Sequence, residues 1–445
     1  MENKFGAENA AQLPGGRANT SNLVPCGSSL RNRSEFKIPD GVITTQEYQA
    51  EFLRLLGGAE NLTDASDEFL ADIDKLDLKL QDQILYNTED ITECSGTRYY
   101  LSEEGDDGAD GKTPETAWKT IKKLNETPLN EGDLISFRRS DKFRGIVLAR
   151  SGITYSAYGK GYKPQILASL DAKQWNWVKT ETENVWRLDH KFSVEDIKDY
   201  GFGADPKIIV DLSIAVIVTP DGRETYGIRK YWLNDLTSNY AFCFCGPVYN
   251  AKGKNLDGDK QRDDFIYMYF DKGNPNDAFS EIEIGLNFSV FKRTDAYVHD
   301  IHINNLELLY GRGPFWPGDC KNIFVTYCIA GWQGGYDDGS QGVPYGGGGG
   351  VWGSCDNFVW DHCYIFQQWD SGVSPQFLGR SDPVVIYKDF ITTNCLFKGC
   401  KWTLEYWLQQ KKNNQGRIVD MKFEFNLCRE GGYGFNDYNR HESAY

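Results

Sequence analysis

The stretch that decides the fold runs from Val298 to Phe435, where one phrase is written five times: VHDIHINNLELLYG from Val298, CKNIFVTYCIAGW from Cys320, CDNFVWDHCYIFQ from Cys355, VIYKDFITTNCLFKG from Val385 and IVDMKFEFNLCREGG from Ile418. Each copy pairs two short alternating runs and carries a cysteine, or in the first copy Asn305 or Leu306, at a matching place. The cysteines fall at 328, 363, 395 and 428, spaced by subtraction at 35, 32 and 33. Alternation of β-branched and aromatic residues (Ile323, Val325, Tyr327; Phe358, Trp360, His362; Phe390, Thr392, Asn394) and Gly-rich corners favour strands over helix pairs. A repeat of this length buries its apolar face only by stacking on the next copy.

The predicted fold is all-β: a right-handed parallel β-helix, a single-stranded solenoid, with a small N-terminal helical appendage. Equivalent residues of neighbouring coils then lie about 4.8 Å apart and stack in ladders. Cys328, Cys363 and Cys395, with Cys428 as a further candidate, are expected to form an internal column of small buried hydrophobes. Zinc ligation lacks its signature, since neither CxxC pairs nor His-rich spacing occur.

The 445 residues can hold a large core, and eleven cysteines, an odd number, leave at least one thiol unpaired. The apolar runs are too short to span a membrane, and the start MENKFGAENAAQLPGG shows no basic segment followed by an apolar one. Net charge is −16, and the segment from Glu60 to Glu93 sets 11 acids against Lys75 and Lys79. Nucleic acid is excluded as a partner, because phosphate binding needs a clustered basic face.

Along the chain, 1–43 reads as a tail or linker and 44–93 as an acidic helical segment. Its second helix has Ser66 as cap, Asp67 and Glu68 in the first turn, and Phe69, Ile73, Leu76, Leu80 and Ile84 at helical intervals. Residues 94–169 form the opening and cap of the solenoid, 170–297 elaborated early coils or an inserted β subdomain, and 298–445 the regular coils. The last coil reaches GGYGFNDYNRHESAY without a closing element, so the solenoid is expected to continue beyond it. The loop GDDGADG places Asp106, Asp107 and Asp110 as a candidate calcium site, although it lacks the twelfth-position Glu of an EF-hand and Asp-Gly pairs are ordinary turn formers.

Loops of a β-helix leave from the same corner of successive coils, so residues after each ladder cysteine line one groove. Trp332, Asp337 and Asp338 follow Cys328; Gln367, Trp369 and Asp370 follow Cys363; Lys398, Lys401, Trp402, Glu405, Tyr406 and Trp407 follow Cys395; Arg429, Glu430 and Tyr433 follow Cys428. Flat rings stack on the C–H faces of sugars, and acids hydrogen-bond hydroxyls or move protons. The pattern therefore predicts a polysaccharide or oligosaccharide partner.

The strand Tyr99 to Ser102, TPETAWKTI (Thr113 to Ile121) and GDLISFRRSDKFRG (Gly132 to Gly145) resemble the N-terminal part of the pectate-lyase-like right-handed parallel β-helix proteins. GWQGGY (from Gly331), GGGVWGSC (from Gly348), QQWDSGVSPQ (from Gln367) and LEYWL (from Leu404) resemble segments of bacterial β-helix proteins of carbohydrate degradation. The resemblance implies an extracellular protein and groove roles for Asp370, Gln376 and Glu405. It departs at two places: a Glu is expected before the VW-like pair where Gly350 stands, and a His near Pro314. If that Glu is catalytic in relatives, this chain binds without cleaving.

Hydrolysis needs two carboxylates, about 5 Å apart for retention and about 6.5–9.5 Å for inversion. Adjacent coils offer about 5 Å and second neighbours about 10 Å, so Asp337 with Asp370, or Asp370 with Glu405, fit, with Asp338 and Glu430 as further acids. Trp332, Trp369, Gln376, Trp402, Tyr406, Tyr433, Lys398 and Arg429 would bind substrate. A glycoside hydrolase without obligatory cofactor is the leading expectation. The alternatives are a calcium-assisted lyase with Lys398, Lys401, Arg429 or Arg440 as base, and a non-catalytic carbohydrate-binding adhesin. Net negative charge repels polyuronates unless a metal intervenes, which favours hydrolysis.

Overall fold

The computed structural model describes residues 36–58, 66–200, 215–218, 224–230, 233–244, 265–334, 344–378, 384–409 and 415–432, with 23–24, 220, 222, 263 and 336–337 between them. The chain is mostly β, and its two long sheets are parallel. The first wall runs in hydrogen-bonded order through Arg98–Leu101, Leu134–Arg138, Thr154–Tyr158, Tyr297–Asn304, Asp319–Thr326, Cys355–Asp361, Val384–Thr393 and Gln415–Ile418.

The other long sheet branches at Tyr364–Leu378, whose pairing slips between Gln368 and Ser371. One branch, the second wall, stacks Lys142–Arg144, Gln165–Leu167, Glu307–Leu309, Ile329–Gln333 and the first half of Tyr364–Leu378. The other, the third wall, stacks Val147–Ala149, Ser289–Arg293, Gly313–Phe315, Gly347–Trp352 and the second half of that strand. Leu396–Leu404 pairs with both halves, and Trp407–Gln409 extends the third wall. All three walls bury alternate residues in one core: Ile301, Ile323, Phe358 and Phe390 from the first, Leu308, Ala330, Ile365 and Phe397 from the second, Phe315, Val351 and Val373 from the third.

The cysteine column forms, with one substitution. Leu306, Cys328, Cys363 and Cys395 are fully buried, and each carbonyl accepts a hydrogen bond from the residue after its counterpart in the next unit, at 2.9 Å throughout. Cys428 is not the last member. Leu427 pairs with Leu396, so the column ends at Asn426, whose Oδ1 accepts the Cys395 N–H at 2.9 Å, and Cys428 pairs with Phe397. The last unit advances 31 residues from Cys395, two fewer than the cysteine spacing suggests. Burial raises the Cys328 and Cys363 thiols far above their ordinary range, which leaves them inert packing groups.

The corners explain how one strand turns into the next wall. Asn305, Tyr327, His362, Asn394 and Phe425, each just before a column residue, take φ of 55°, 51°, 49°, 51° and 53°. A second set at Tyr310, Trp332, Gln367 and Glu430 is also left-handed. Non-glycine residues hold this conformation only where surrounding pairing imposes it, and here every copy imposes it at the same place.

Between Gln165–Leu167 and Ser289–Arg293 the chain leaves the walls and builds two mainly antiparallel sheets around Trp177, Trp186, Phe242, Met268 and Ile284, with one parallel pair, Ile228–Arg229 on Ala241–Phe244. At the opening end, the helix Ile121–Glu126 sets Ile121 and Leu124 into the main core beside Trp118.

The N-terminal helices α1 (Thr45–Gly58) and α2 (Asp67–Leu85) lie along the second wall. The Ser66 hydroxyl accepts the Phe69 N–H, and the buried face of α2 (Leu76, Leu80, Ile84) packs with Tyr48 of α1 on Leu309, Ile329, Tyr364, Phe366 and Leu396. Among the described residues no helix is long and apolar enough to cross a membrane.

Candidate functional site

The groove expected after the cysteines divides between two walls, and the division follows the strand register. Residues on the second wall are covered. Trp332 and Trp369 are fully buried in the cluster made with α1, α2 and Tyr226, and the Trp332 N–H donates to Glu224 Oε2 at 3.0 Å. Lys398 Nζ lies 2.8 Å from Asp77 Oδ1, and Arg429 lies 2.6 Å from Asp74 and 3.6 Å from Asp77. These four, expected to bind substrate, instead receive the acidic helix. Gln367 and Asp370 are also buried.

The third wall carries the other set, in which Ser374 is fully buried, Gln376 and Glu405 are partly buried and Trp402 and Tyr406 are exposed. Gly349 faces inward, since a Cβ there would strike the core ring of Trp360, and Val351 packs in the core. Gly350 between them therefore faces out, and it pairs with Ser374. Val373 pairs with Leu404 and Gln376 with Trp407, which places Glu405 next in line after Gly350 and Ser374. Glu405 Oε2 accepts the Gln376 amide at 2.9 Å and the Ser374 hydroxyl at 3.2 Å. Two donors on one oxygen hold the carboxylate in a single orientation. Trp402 and Tyr406, on either side of Glu405 in sequence, are 44% and 60% exposed.

The glycine run 346–350 lies almost wholly within a strand. Gly347–Trp352 is a strand of the third wall, and its side chains are missing because Trp360, Gly372 and Trp316 occupy the space beside them.

Asp337 lies in a two-stranded hairpin, Tyr336–Asp337 against Pro344–Tyr345, and Glu430 is exposed at a left-handed corner of the second wall. Asp338, Tyr433 and Arg440 lie outside the described residues. The three aspartates of GDDGADG serve their own loop. Asp106 Oδ1 accepts the Gly108 N–H, Asp107 accepts the Lys119 and Thr120 N–H groups and the Thr120 hydroxyl, and Asp110 accepts from Lys112 and Thr116. Among the described residues no group of three or more His, Cys, Asp or Glu is placed to hold a metal ion.

Sequence reasoning did not single out Ser374 or Trp316. Ser374 was readable in QQWDSGVSPQ, two residues before Gln376 and so on the same strand face. Trp316 lies in GPFWPG, which the other copies do not repeat, and nothing in the sequence marked it.

No protein-family model and no curated protein matches this chain. Among solved structures, it is similar to one described as the complex structure of XylC with xylose (14% identity, TM-score 0.40), covering 72% of this chain and 64% of that one. A structure described as a glycoside hydrolase shares 10% identity at TM-score 0.42, covering 69% and 75%. A lacto-N-biosidase of Eubacterium ramulus shares 13% identity at TM-score 0.26, covering 81% and 62%. The chain thus spans just under two thirds of the length of the first. At TM-scores of this size no chemistry follows from the likeness.

Proposed function

We propose that the parallel stack is a right-handed β-helix that acts on polysaccharide, and that it is a glycoside hydrolase with Glu405 as its working carboxylate. One observation carries this reading: Glu405, on the outward column, is held in one orientation by Gln376 and Ser374, while Trp402 and Tyr406 stand exposed on the same stretch of chain, by alternation on its other face. The rings offer faces to sugar C–H groups, and the fixed carboxylate meets the bond between two sugars as nucleophile, base or proton donor. Asp370, expected as the partner acid with Asp337 or Asp338 assisting, is buried, so on this reading Glu405 is the one carboxylate assigned a role, and no cofactor is required.

Gly350 favours a second reading, a carbohydrate-binding protein without cleavage. It stands in the column of Glu405 where the sequence resemblance expects a Glu, and the Trp316 ring occupies the room a side chain would need. The lyase reading loses two of its bases, because Lys398 and Arg429 are engaged by Asp77 and Asp74.

A panel of neutral and acidic glycans separates these readings. New reducing ends without ultraviolet absorbance, lost in Glu405→Gln, support hydrolysis. Reducing ends together with absorbance from unsaturated product mean elimination and sink the proposal. Retention on immobilised glycan with neither signal supports binding alone.

A further inference from the structure

Trp316 follows the third-wall strand Gly313–Phe315, and because Phe315 packs inward its neighbour Trp316 lies on the outer side. The indole spans two units of the stack. A Cβ at Gly313 would come within 2.5 Å of Trp316 Nε1 and 2.9 Å of Cδ1, and a Cβ at Gly350 within 2.5 Å of Cη2. The pyrrole end thus rests on Gly313 and the benzene end on Gly350. Any side chain at either glycine would displace the ring. Trp316 is nonetheless only half-buried, so part of the indole remains open to solvent. Its N–H is buried without a hydrogen-bond partner, so it is a flat apolar surface that Trp316 offers outward.

Gly350, Ser374 and Glu405 occupy successive strands of one outward column, in which Ser374 is fully buried, so the benzene end of Trp316 lies two strand spacings from Glu405, about 10 Å. A pyranose ring stacks its C–H face on such a surface. We infer that Trp316, seated on Gly313 and Gly350, is a sugar-stacking platform that receives an oligosaccharide running along the stack axis from Glu405. The inference rests on the proposed action on polysaccharide and adds to it a direction and a binding position. The substrate crosses the strands, so a chain long enough to reach from Glu405 to Trp316 gains a contact that a shorter one lacks. Specificity for length follows.

The test compares wild type, Trp316→Ala, Trp316→Phe and Gly350→Ala on an oligosaccharide ladder of whichever glycan the wild type cleaves or retains. Melting curves verify that each variant folds. Trp316→Ala is expected to raise KM, or Kd for a binder, roughly three- to tenfold for long chains. For the shortest chain the rise is smaller. Gly350→Ala, which pushes the ring off its seat, should reproduce that length-dependent loss, and Trp316→Phe should restore most of the difference. If Trp316→Ala does not fold, the other two variants carry the comparison. Length profiles of Trp316→Ala and Gly350→Ala that superpose on the wild-type profile would overturn the platform and leave polysaccharide action standing. A wild type that neither cleaves nor retains any glycan removes the functional reading itself, and the platform with it.

Discussion

On the second wall Trp332 and Trp369 are sealed beneath α1, α2 and Tyr226, and Lys398 and Arg429 are joined to Asp77 and Asp74; on the third wall Trp402 and Tyr406 stand open beside Glu405. Both sets follow the cysteine column in sequence and combine aromatic with charged residues, basic on the second wall and acidic on the third. What separates them is the bulge between Gln368 and Ser371, where one long strand passes from a covered wall to an uncovered one. Aromatic and charged residues at a repeat corner therefore do not mark a binding surface until it is known what else packs there. The cover comes from about 300 residues away in the chain, and its acids match the basic residues it meets.

The contrast is most sharply tested by exchanging roles. Trp332→Ala should lower stability by about 3–5 kcal/mol, because it empties a filled site and leaves Glu224 without its indole donor, measured by denaturant unfolding. If instead the protein keeps its stability and loses glycan affinity, the second wall is a site after all. Glu405→Gln should do the reverse, cutting glycan turnover by about 100-fold or more with an unchanged melting temperature. Unaltered turnover would move the chemistry off the third wall.

Asp77→Asn should cost about 1–2 kcal/mol, since Lys398 and Arg429 then lose part of their partnership in a partly buried setting. Equal stability in the variant would mean that apolar packing alone holds α2.

The segment after α2 is tied down by a buried network: Arg139 to Asp90, Asn305 to Asn87, Glu89 and Asp90, and Lys163 to Asn305 at 2.5 Å. Burial, reinforced by Arg139, pushes Lys163 down to about 7. Between that value and its unfolded value of about 10.4 the unfolded chain binds more protons, so the Lys163 contribution makes stability rise with pH from about 7 to 10. Below that window the cost of burying the charged amine is fully present. Lys163→Met should flatten this part of the melting-temperature profile, and an identical pH profile would show that the amine is hydrated. The smallest effect is expected for Trp402→Ala, a loss of glycan affinity of about fivefold with little change in stability.

The repeat was legible because stacking demands it: each copy of the phrase carries its own period-2 alternation, and strands pairing in parallel register must place Cys328, Cys363 and Cys395 in one line. The column ends elsewhere than the cysteine spacing predicts, because pairing is counted along the strand and not by residue type, and Asn426 rather than Cys428 stands opposite Cys395. The candidate site was legible in part. Glu405, Gln376, Trp402 and Tyr406 share the open wall, but Trp332, Trp369, Lys398 and Arg429 belong to an interface with helices that the sequence presented as a separate acidic appendage.

Sequence alone determined which residues alternate, which copies match and where α2 begins, because those are local properties of neighbouring side chains. The tertiary structure decided which of two similar walls is covered, and that Trp316 rather than a side chain at position 350 fills the outward column. Coverage and shared space depend on contacts between distant segments, and no period or composition in one segment encodes what will be laid against it.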